Sequence, residues 1–348
     1  MNILMVHPHD IYSPVEPWTV RITYLANELT KMGHEVRVVY HLENPHAEPD
    51  IEKRRQEFSF KTIPMIRHAG TLIMKTKRMI ELAAWADVIH FQKCFAYVSI
   101  PSILAGAITG TPVHYDWDDW EAEIFRNSSP NDDYWYHYIA RIERSVPYLV
   151  DTVSVASKSL WEKALKMGKS HTHVFEAPVG GDPQRFETEN LDTSIIESQY
   201  DLRNPVITYL GQLHGAQYCS LFLQMAKILK SEGLLATFFV VGNGSNFLNL
   251  MQEAEELGLQ DDVIFTGSVP HDKVPYFLKV SDVCVAAFED TPQVRTKSPL
   301  KICEYMAAGR AIVASEVGEV SEMLDNGKAG LLVRPGDPRA LASGVLRI

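Results

Sequence analysis

The chain has 348 residues, too many for one ordinary core and enough for two domains. A hydrophobic content of 46% with 22% charged residues is that of a folded soluble protein, and a formal net charge of −11 argues against a general nucleic-acid binder. Four scattered cysteines, Cys94, Cys219, Cys284 and Cys303, form no CxxC pair, which predicts reduced thiols in a cytoplasmic protein.

Residues 1–7 turn polar too soon for a signal peptide and read as a first strand, and no apolar run is long enough to span a bilayer. In the first half, strands are predicted at 2–7, 35–40, 87–91, 112–115, 152–155 and 173–176, with helices at 18–32, 71–84, 99–109, 132–147 and 157–167. Residues 177–183 are rich in turn formers, with Gly180 and Gly181 at their centre, and read as a hinge. The alternation restarts near residue 200. Strands follow at 206–210, 236–241, 263–265, 282–287, 311–314 and 330–333, and helices at 218–232, 246–257, 272–280, 299–308 and 338–346. Apolar strands separated by helices mean parallel sheets covered on both faces, and ligands of such sheets bind beyond the carboxyl ends of the strands.

The sharpest local pattern is residues 298–315. Ser298 suits a helix N-cap, Pro299 the first helical position, and Gly309 a left-handed helix end. Free amides at a helix start attract phosphate, and Glu304, more than a turn further in, is placed to accept hydrogen bonds from sugar hydroxyls. Read without further context, the same residues serve equally as a cap and a surface charge.

This stretch resembles the donor-site signature of family 4 glycosyltransferases, and the likeness continues through 317–322, 330–333 and 336–338 and back through 282–285 and 241–244 to 209–211. The resemblance implies the α/β GT-B fold, two Rossmann-like doubly wound parallel-sheet domains facing across a cleft. Residues 1–180 would bind the acceptor and 181–348 the nucleotide sugar, with the fold's final crossover helix expected beyond Ile348. It further implies that Ser298, Pro299, Leu300 and Lys301 seat the diphosphate, that Glu304 holds the ribose, and that the backbone around Val269 reads the base. Gly211 and Gly242 end strands at the same site, where close backbone approach to a ligand is required.

Several positions depart from the family pattern. The two cations usual after the first strand of the donor domain are replaced by Gln212 and Tyr218, so a diphosphate would need charge from Arg295, Lys297 or Lys301. The first Glu of the family's Glu-x7-Glu pair is Thr296; Glu289 and Asp290 lie nearby, as possible substitutes or as a charged loop edge. In the first half, a Gly-Gly loop is replaced by residues 9–18, where Tyr12 and Trp18 are candidates to stack on an acceptor sugar or to anchor the loop, and Arg21 follows.

Residues 116–121, Asp-Trp-Asp-Asp-Trp-Glu, follow a strand and so lie at the carboxyl end of the sheet. Asp118 stands where family members often have His, and Asp116 and Asp118 are the candidate catalytic carboxylates, able to orient an acceptor hydroxyl or act as a base. The alternative is a solvated acidic loop whose Asp caps the next helix. No metal is expected, because the fold generally works without one and the cluster lacks a loop of alternating oxygen ligands. The cationic, apolar stretch 52–78 suggests peripheral contact with the inner face of a membrane or a lipid-diphosphate acceptor, or an ordinary amphipathic helix.

The expected activity is therefore a retaining glycosyltransferase. Its co-substrate would be a nucleotide-diphosphate sugar, with no tightly bound cofactor, and its acceptor a saccharide or lipid-linked. A nucleotide-sugar epimerase, a non-catalytic nucleotide-sugar-binding scaffold and a metal-dependent hydrolase built on 116–121 remain open at this point.

Overall fold

Runs such as Ile3-Leu4-Met5-Val6 and Val283-Cys284-Val285-Ala286 are buried along their whole length, because helices cover both faces of the sheets they enter. The computed structural model describes residues 1–12, 18–42, 58–67, 71–187, 190–214 and 218–348. Chain contacts divide these into Met1–Pro178 and Val179–Ile348.

The first unit contains β1 (Asn2–His7), α1 (Trp18–Lys31), β2 (Glu35–Leu42), β3 (Lys61–Ile66), α2 (Leu72–Ala83), β4 (Val88–Gln92), α3 (Ala96–Thr109), β5 (Val113–Trp117), α4 (Glu121–Ser128), α5 (Asp133–Leu149), β6 (Thr152–Val155), α6 (Lys158–Lys166) and β7 (Val174–Glu176). Its strands form a parallel seven-stranded sheet in the order β3-β2-β1-β4-β5-β6-β7. The order reverses between β1 and β4, where Val6 lies beside Phe91, and this is where a doubly wound sheet opens a crevice for ligands.

The second unit contains α7 (Ser194–Gln199), β8 (Val206–Leu210), α8 (Tyr218–Ser231), β9 (Thr237–Val241), α9 (Phe247–Glu256), β10 (Val263–Gly267), α10 (Val274–Val280), β11 (Val283–Ala286), α11 (Pro292–Arg295), α12 (Leu300–Ala307), β12 (Ala311–Ser315), α13 (Val320–Met323), β13 (Leu331–Val333) and α14 (Pro338–Val345). Its six parallel strands run β10-β9-β8-β11-β12-β13, with the reversal between β8 and β11. Each sheet is packed on both faces by apolar clusters, in which every fully buried Leu, Val or Phe contributes about 1.5–3 kcal/mol.

The structure corrects the expected elements at several points. Residues 61–66, expected within a cationic surface stretch, form the edge strand β3, a position that tolerates Pro64. There Tyr40 faces Pro64 across the ladder. The helix expected to begin at 99 begins at Ala96, and α4 has no counterpart in the prediction. Within 52–78, residues 52–57 and 68–70 lie outside the described residues. Of the described cations there, Lys75 is buried, donates to the Arg67 carbonyl and stands over the Tyr97 ring, and Arg78 pairs with Glu81. Ile73 and Met74 are exposed on α2. No described helix is long and apolar enough to cross a membrane.

Candidate functional site

In the second unit, the strand ends converge because their glycines allow it. Gly211, directly after β8, has φ +144°, and a Cβ there would stand 2.9 Å from Lys301 Nζ. Gly242, directly after β9, has φ +147°, and its Cβ would fall 1.9 Å from the Gly211 carbonyl oxygen. Both backbone angles strain any residue with a side chain, and at Gly242 the neighbouring backbone leaves no room for one. The Gly211 amide donates to the Val241 carbonyl at 3.0 Å, and Gly242 bridges Gly267 at the end of β10. Gln212 is half-buried beside this turn.

The helix α12 supplies the chemistry. Its amides at Leu300 and Lys301 have no helical carbonyl to bond, and Pro299 carries none. The chain leaves the helix through Gly309 in the left-handed region, with Arg310 N–H returning to the Tyr305 carbonyl at 3.0 Å. Lys301 lies along the β8 end, its ammonium 4.0 Å from the centre of the Tyr209 ring and against Gly211. Burial, helped by neighbouring Lys297, lowers its pKa from 10.5 to about 7. Tyr305 is fully buried, and its hydroxyl accepts the Leu210 N–H at 3.0 Å, which ties α12 to the strand that ends at Gly211. Glu304 is buried, and its Oε1 lies 2.7 Å from His271 Nε2.

Other predicted donor residues sit differently. The expected Ser298 cap is not made: Pro299 occupies the N-cap position, and Ser298 Oγ accepts the Val179 N–H at 3.1 Å. Ser298 thus fastens the first residue of this unit, as does the Cys303 thiol, which donates to the Val179 carbonyl at 3.3 Å. Arg295 is exposed and held by Asp290 through two contacts of 2.5 and 2.8 Å, so it is already neutralised. Lys297 is half-buried with no carboxylate partner among the described residues. Thr296 is buried and bonds the Gln293 carbonyl at 2.8 Å. Val269 is half-buried against the apolar cluster that contains Phe239 and Ile302. Residues 215–217 lie outside the described residues.

In the first unit, polar side chains gather at the carboxyl ends of β1, β4, β5 and β6. Asp116, on β5, is fully buried. Arg21 from α1 binds it with two contacts of 2.7 Å, and Ser154 Oγ donates to it at 2.6 Å. Burial opposes its charge, but Arg21 outweighs burial and holds the carboxyl well below the usual range. Arg21 also donates to the Ala177 carbonyl at 2.9 Å. Two expectations are thereby corrected. Asp116 is the ion-pair partner of Arg21 rather than an unpaired carboxylate, and Arg21 is buried against it rather than exposed. Tyr12 is corrected too: its ring packs 5.4 Å from those of Tyr40 and Phe58, and its hydroxyl donates to Thr62 at 2.9 Å, so it belongs to the core. The Trp18 side chain and residues 13–17 lie outside the described residues.

Asp118 is buried in a polar chain. Its Oδ2 accepts Gln92 Nε2 at 2.6 Å, and Gln92 Oε1 meets His7 Nδ1 at 2.8 Å. Burial lowers the His7 pKa to about 3, so the ring is neutral and donates to Gln92. Lys93 lies at the centre. Its ammonium is 3.3 Å from Asp118, 3.3 Å from Asp119 and 2.5 Å from Glu121. It leaves β4 with φ +65°, a left-handed backbone that a lysine adopts only when its surroundings impose it. Burial disfavours the ammonium, but the three carboxylates outweigh it and raise the Lys93 pKa well above its ordinary value. With one cation among three carboxylates, burial raises the Glu121 pKa to about 7 against the pull of Lys93. The acidic segment is therefore neither a solvated loop nor a cap.

The cap of α4 comes from elsewhere. Buried Glu143 on α5 accepts the Glu121 and Ala122 amides at 2.8 and 3.0 Å and the Trp117 indole N–H at 2.9 Å. Glu143→Ala leaves three buried donors unmatched, each costing about 1–3 kcal/mol. It is expected to destabilise the first unit by about 3 kcal/mol or more, read from the denaturant midpoint, with Glu143→Gln recovering part of the loss. A shift below about 1 kcal/mol would show that the donors find other partners.

Residues 204–348 match the family model described as glycosyl transferases group 1. The match lies within the second unit. The chain is 23% identical over 249 residues to the 2-deoxystreptamine glucosyltransferase of Streptomyces kanamyceticus, covering 70% of this chain and 63% of that protein. It is 26% identical over 211 residues to the putative colanic acid biosynthesis glycosyl transferase WcaI of Escherichia coli K12, covering 58% of this chain and 50% of that protein. The chain thus spans less than two thirds of the length of these curated relatives. Among solved structures, Anabaena Alr3699/HepE in complex with UDP and glucose matches with a TM-score of 0.76 at 17% identity, over 99% of this chain and 89% of that one. The lipopolysaccharide glycosyltransferase WaaG matches with a TM-score of 0.67 at 14% identity, over 100% and 90%. These likenesses establish the GT-B fold.

Sequence reasoning missed His271, Tyr305, Lys93, Gln92 and Glu143. His271 lies two residues after Val269, whose backbone was already singled out, and Gln92 and Lys93 stand at the carboxyl end of β4, the position where ligand-facing polar residues of doubly wound sheets occur. Tyr305 and Glu143 carried no local signal, because each acts on a partner about 95 and 22 residues away.

Proposed function

We propose that the chain transfers a sugar from a nucleoside-diphosphate sugar, bound on the second unit, to a hydroxyl of an acceptor bound on the first. The C–O bond to the diphosphate breaks and a bond to the acceptor oxygen forms, the nucleoside diphosphate leaving with the hydroxyl's proton, with retention at the anomeric carbon as the family 4 likeness implies. The observation that carries this reading is the ammonium of Lys301 against Gly211, with Lys297 near it. It puts a cation at the very turn where the family's usual pair is replaced by Gln212 and Tyr218, so a diphosphate there meets compensating charge. The α12 amides and Glu304 would complete the donor seat. Catalysis of this kind depends on positioning and on stabilising the leaving diphosphate.

The relative that glucosylates 2-deoxystreptamine and the one named for colanic acid biosynthesis support a hydroxyl-bearing, saccharide-type acceptor, lipid-linked or free. Asp118, held by Gln92 beside Lys93, would be the carboxylate that orients that hydroxyl. The solved UDP complex makes uridine nucleotides the first to try. Glu304→Ala is expected to weaken binding of UDP, ADP or GDP, whichever the protein prefers, by about tenfold in calorimetric titration, the loss of a charge-assisted hydrogen bond. Unchanged affinity would remove Glu304 from the donor site.

A further inference from the structure

Glu304 is a buried carboxylate with its two oxygens treated differently. Oε1 is taken by His271 Nε2 at 2.7 Å, and no described side chain bonds Oε2. His271 is itself held in place. It opens a short 3-10 turn, His271–Lys273, directly after Pro270, and its ring meets Phe186 edge-on at 5.6 Å between centroids. Phe186 is fully buried, so the ring rests against a fixed wall. A carboxylate on a three-torsion side chain sweeps a wide arc unless one oxygen is tethered, and hydrogen bonds to a ligand then cost ordering entropy.

We propose that His271 is a positioning residue for nucleotide selection: it pins one oxygen of Glu304 so that the other is presented, ready oriented, to the vicinal hydroxyls of a ribose. This rests on the reading of Glu304 as the ribose acceptor. Its consequence is specific. Without His271, the protein loses its preference for ribose over a sugar lacking those hydroxyls, while its hold on the diphosphate persists, because Lys301 and the α12 amides make no described bond to His271.

The test is calorimetric titration of UDP, ADP and GDP and of their 2′,3′-dideoxy counterparts into wild type, His271→Ala, His271→Gln and Glu304→Ala, each checked for folding by its thermal transition. Wild type is expected to bind the ribonucleotide about tenfold or more tightly than the dideoxy form. Glu304→Ala should abolish that ratio, and His271→Ala should shrink it to below about threefold with dideoxynucleotide affinity unchanged. His271→Gln retains a side-chain donor and should restore much of the ratio, which also covers the case in which the alanine variant does not fold. If Glu304→Ala loses the preference but His271→Ala and His271→Gln both keep it, or if His271→Ala weakens both ligands equally, the positioning role is overturned and the ribose reading stands. If Glu304→Ala keeps the preference, or none of the three nucleotides binds, the ribose reading itself fails and this inference with it.

Discussion

Lys93→Met is expected to destabilise the first unit by about 3–5 kcal/mol, the range for removing one partner of a buried ionic group. The methionine fills the space of the lysine stem but leaves Asp118 and Glu121 buried without their cation. The sign of the pH dependence follows from those carboxylates. Burial already raises both pKa values, and Lys93 opposes that rise. Without Lys93 they rise further above their unfolded values, so the folded state holds protons that the unfolded state has lost, and stability falls as pH increases. Denaturant unfolding should therefore show a larger penalty for Lys93→Met at pH 8 than at pH 5. Adding Asp118→Asn and Glu121→Gln should recover part of the loss at pH 8. Equal penalties at both pH values would mean that Lys93 acts through packing alone.

Lys301→Met is expected to weaken diphosphate binding by about 50- to 100-fold near pH 7, because on the proposed reading it removes the charge-assisted hydrogen bond to the diphosphate. Free Lys301 has a pKa lowered to about 7 by burial, against an ordinary 10.5. A bound diphosphate favours the ammonium and raises that value. Affinity in the wild type should then be full below about pH 7 and fall by up to tenfold per unit above it, with proton uptake on binding that approaches one proton at pH 8. Calorimetry in two buffers of different ionisation heat measures that uptake directly. In Lys301→Met both the uptake and the pH slope should vanish; a variant that keeps them would show that another group carries the charge. The ligand-free second unit follows the same linkage. Its folded lysine binds fewer protons than the unfolded one between about pH 7 and 10.5, so this group adds stability as pH rises through that window.

Both results depend on groups whose environment is not local in sequence. The strands and most helices were legible because their signal is local: a buried parallel strand needs a continuous apolar run, and a covering helix needs a 3.6-residue period. β3 was missed because an edge strand with Pro64 and Lys61 has neither. α4 was missed because its cap is Glu143, far along the chain rather than at the helix start. Lys301 and Glu304 could be named from the helix start alone, whereas His271 could not, since nothing local links residue 271 to residue 304.

By itself, the order of apolar runs and turn formers determined two parallel α/β halves, and residues 298–309 determined where one helix of the second half begins and ends. Those features follow from hydrophobic periodicity and backbone geometry, which each short segment carries with it. The tertiary structure alone decided which charged groups remain available for chemistry. It committed Asp116 to Arg21, gathered Asp118, Asp119 and Glu121 around Lys93, and left Arg295 paired at the surface. The reason is electrostatic. A carboxylate or ammonium has its reactivity set by burial and by the opposite charges within a few ångströms, and those neighbours come from strands and helices that only the folded sheet brings together.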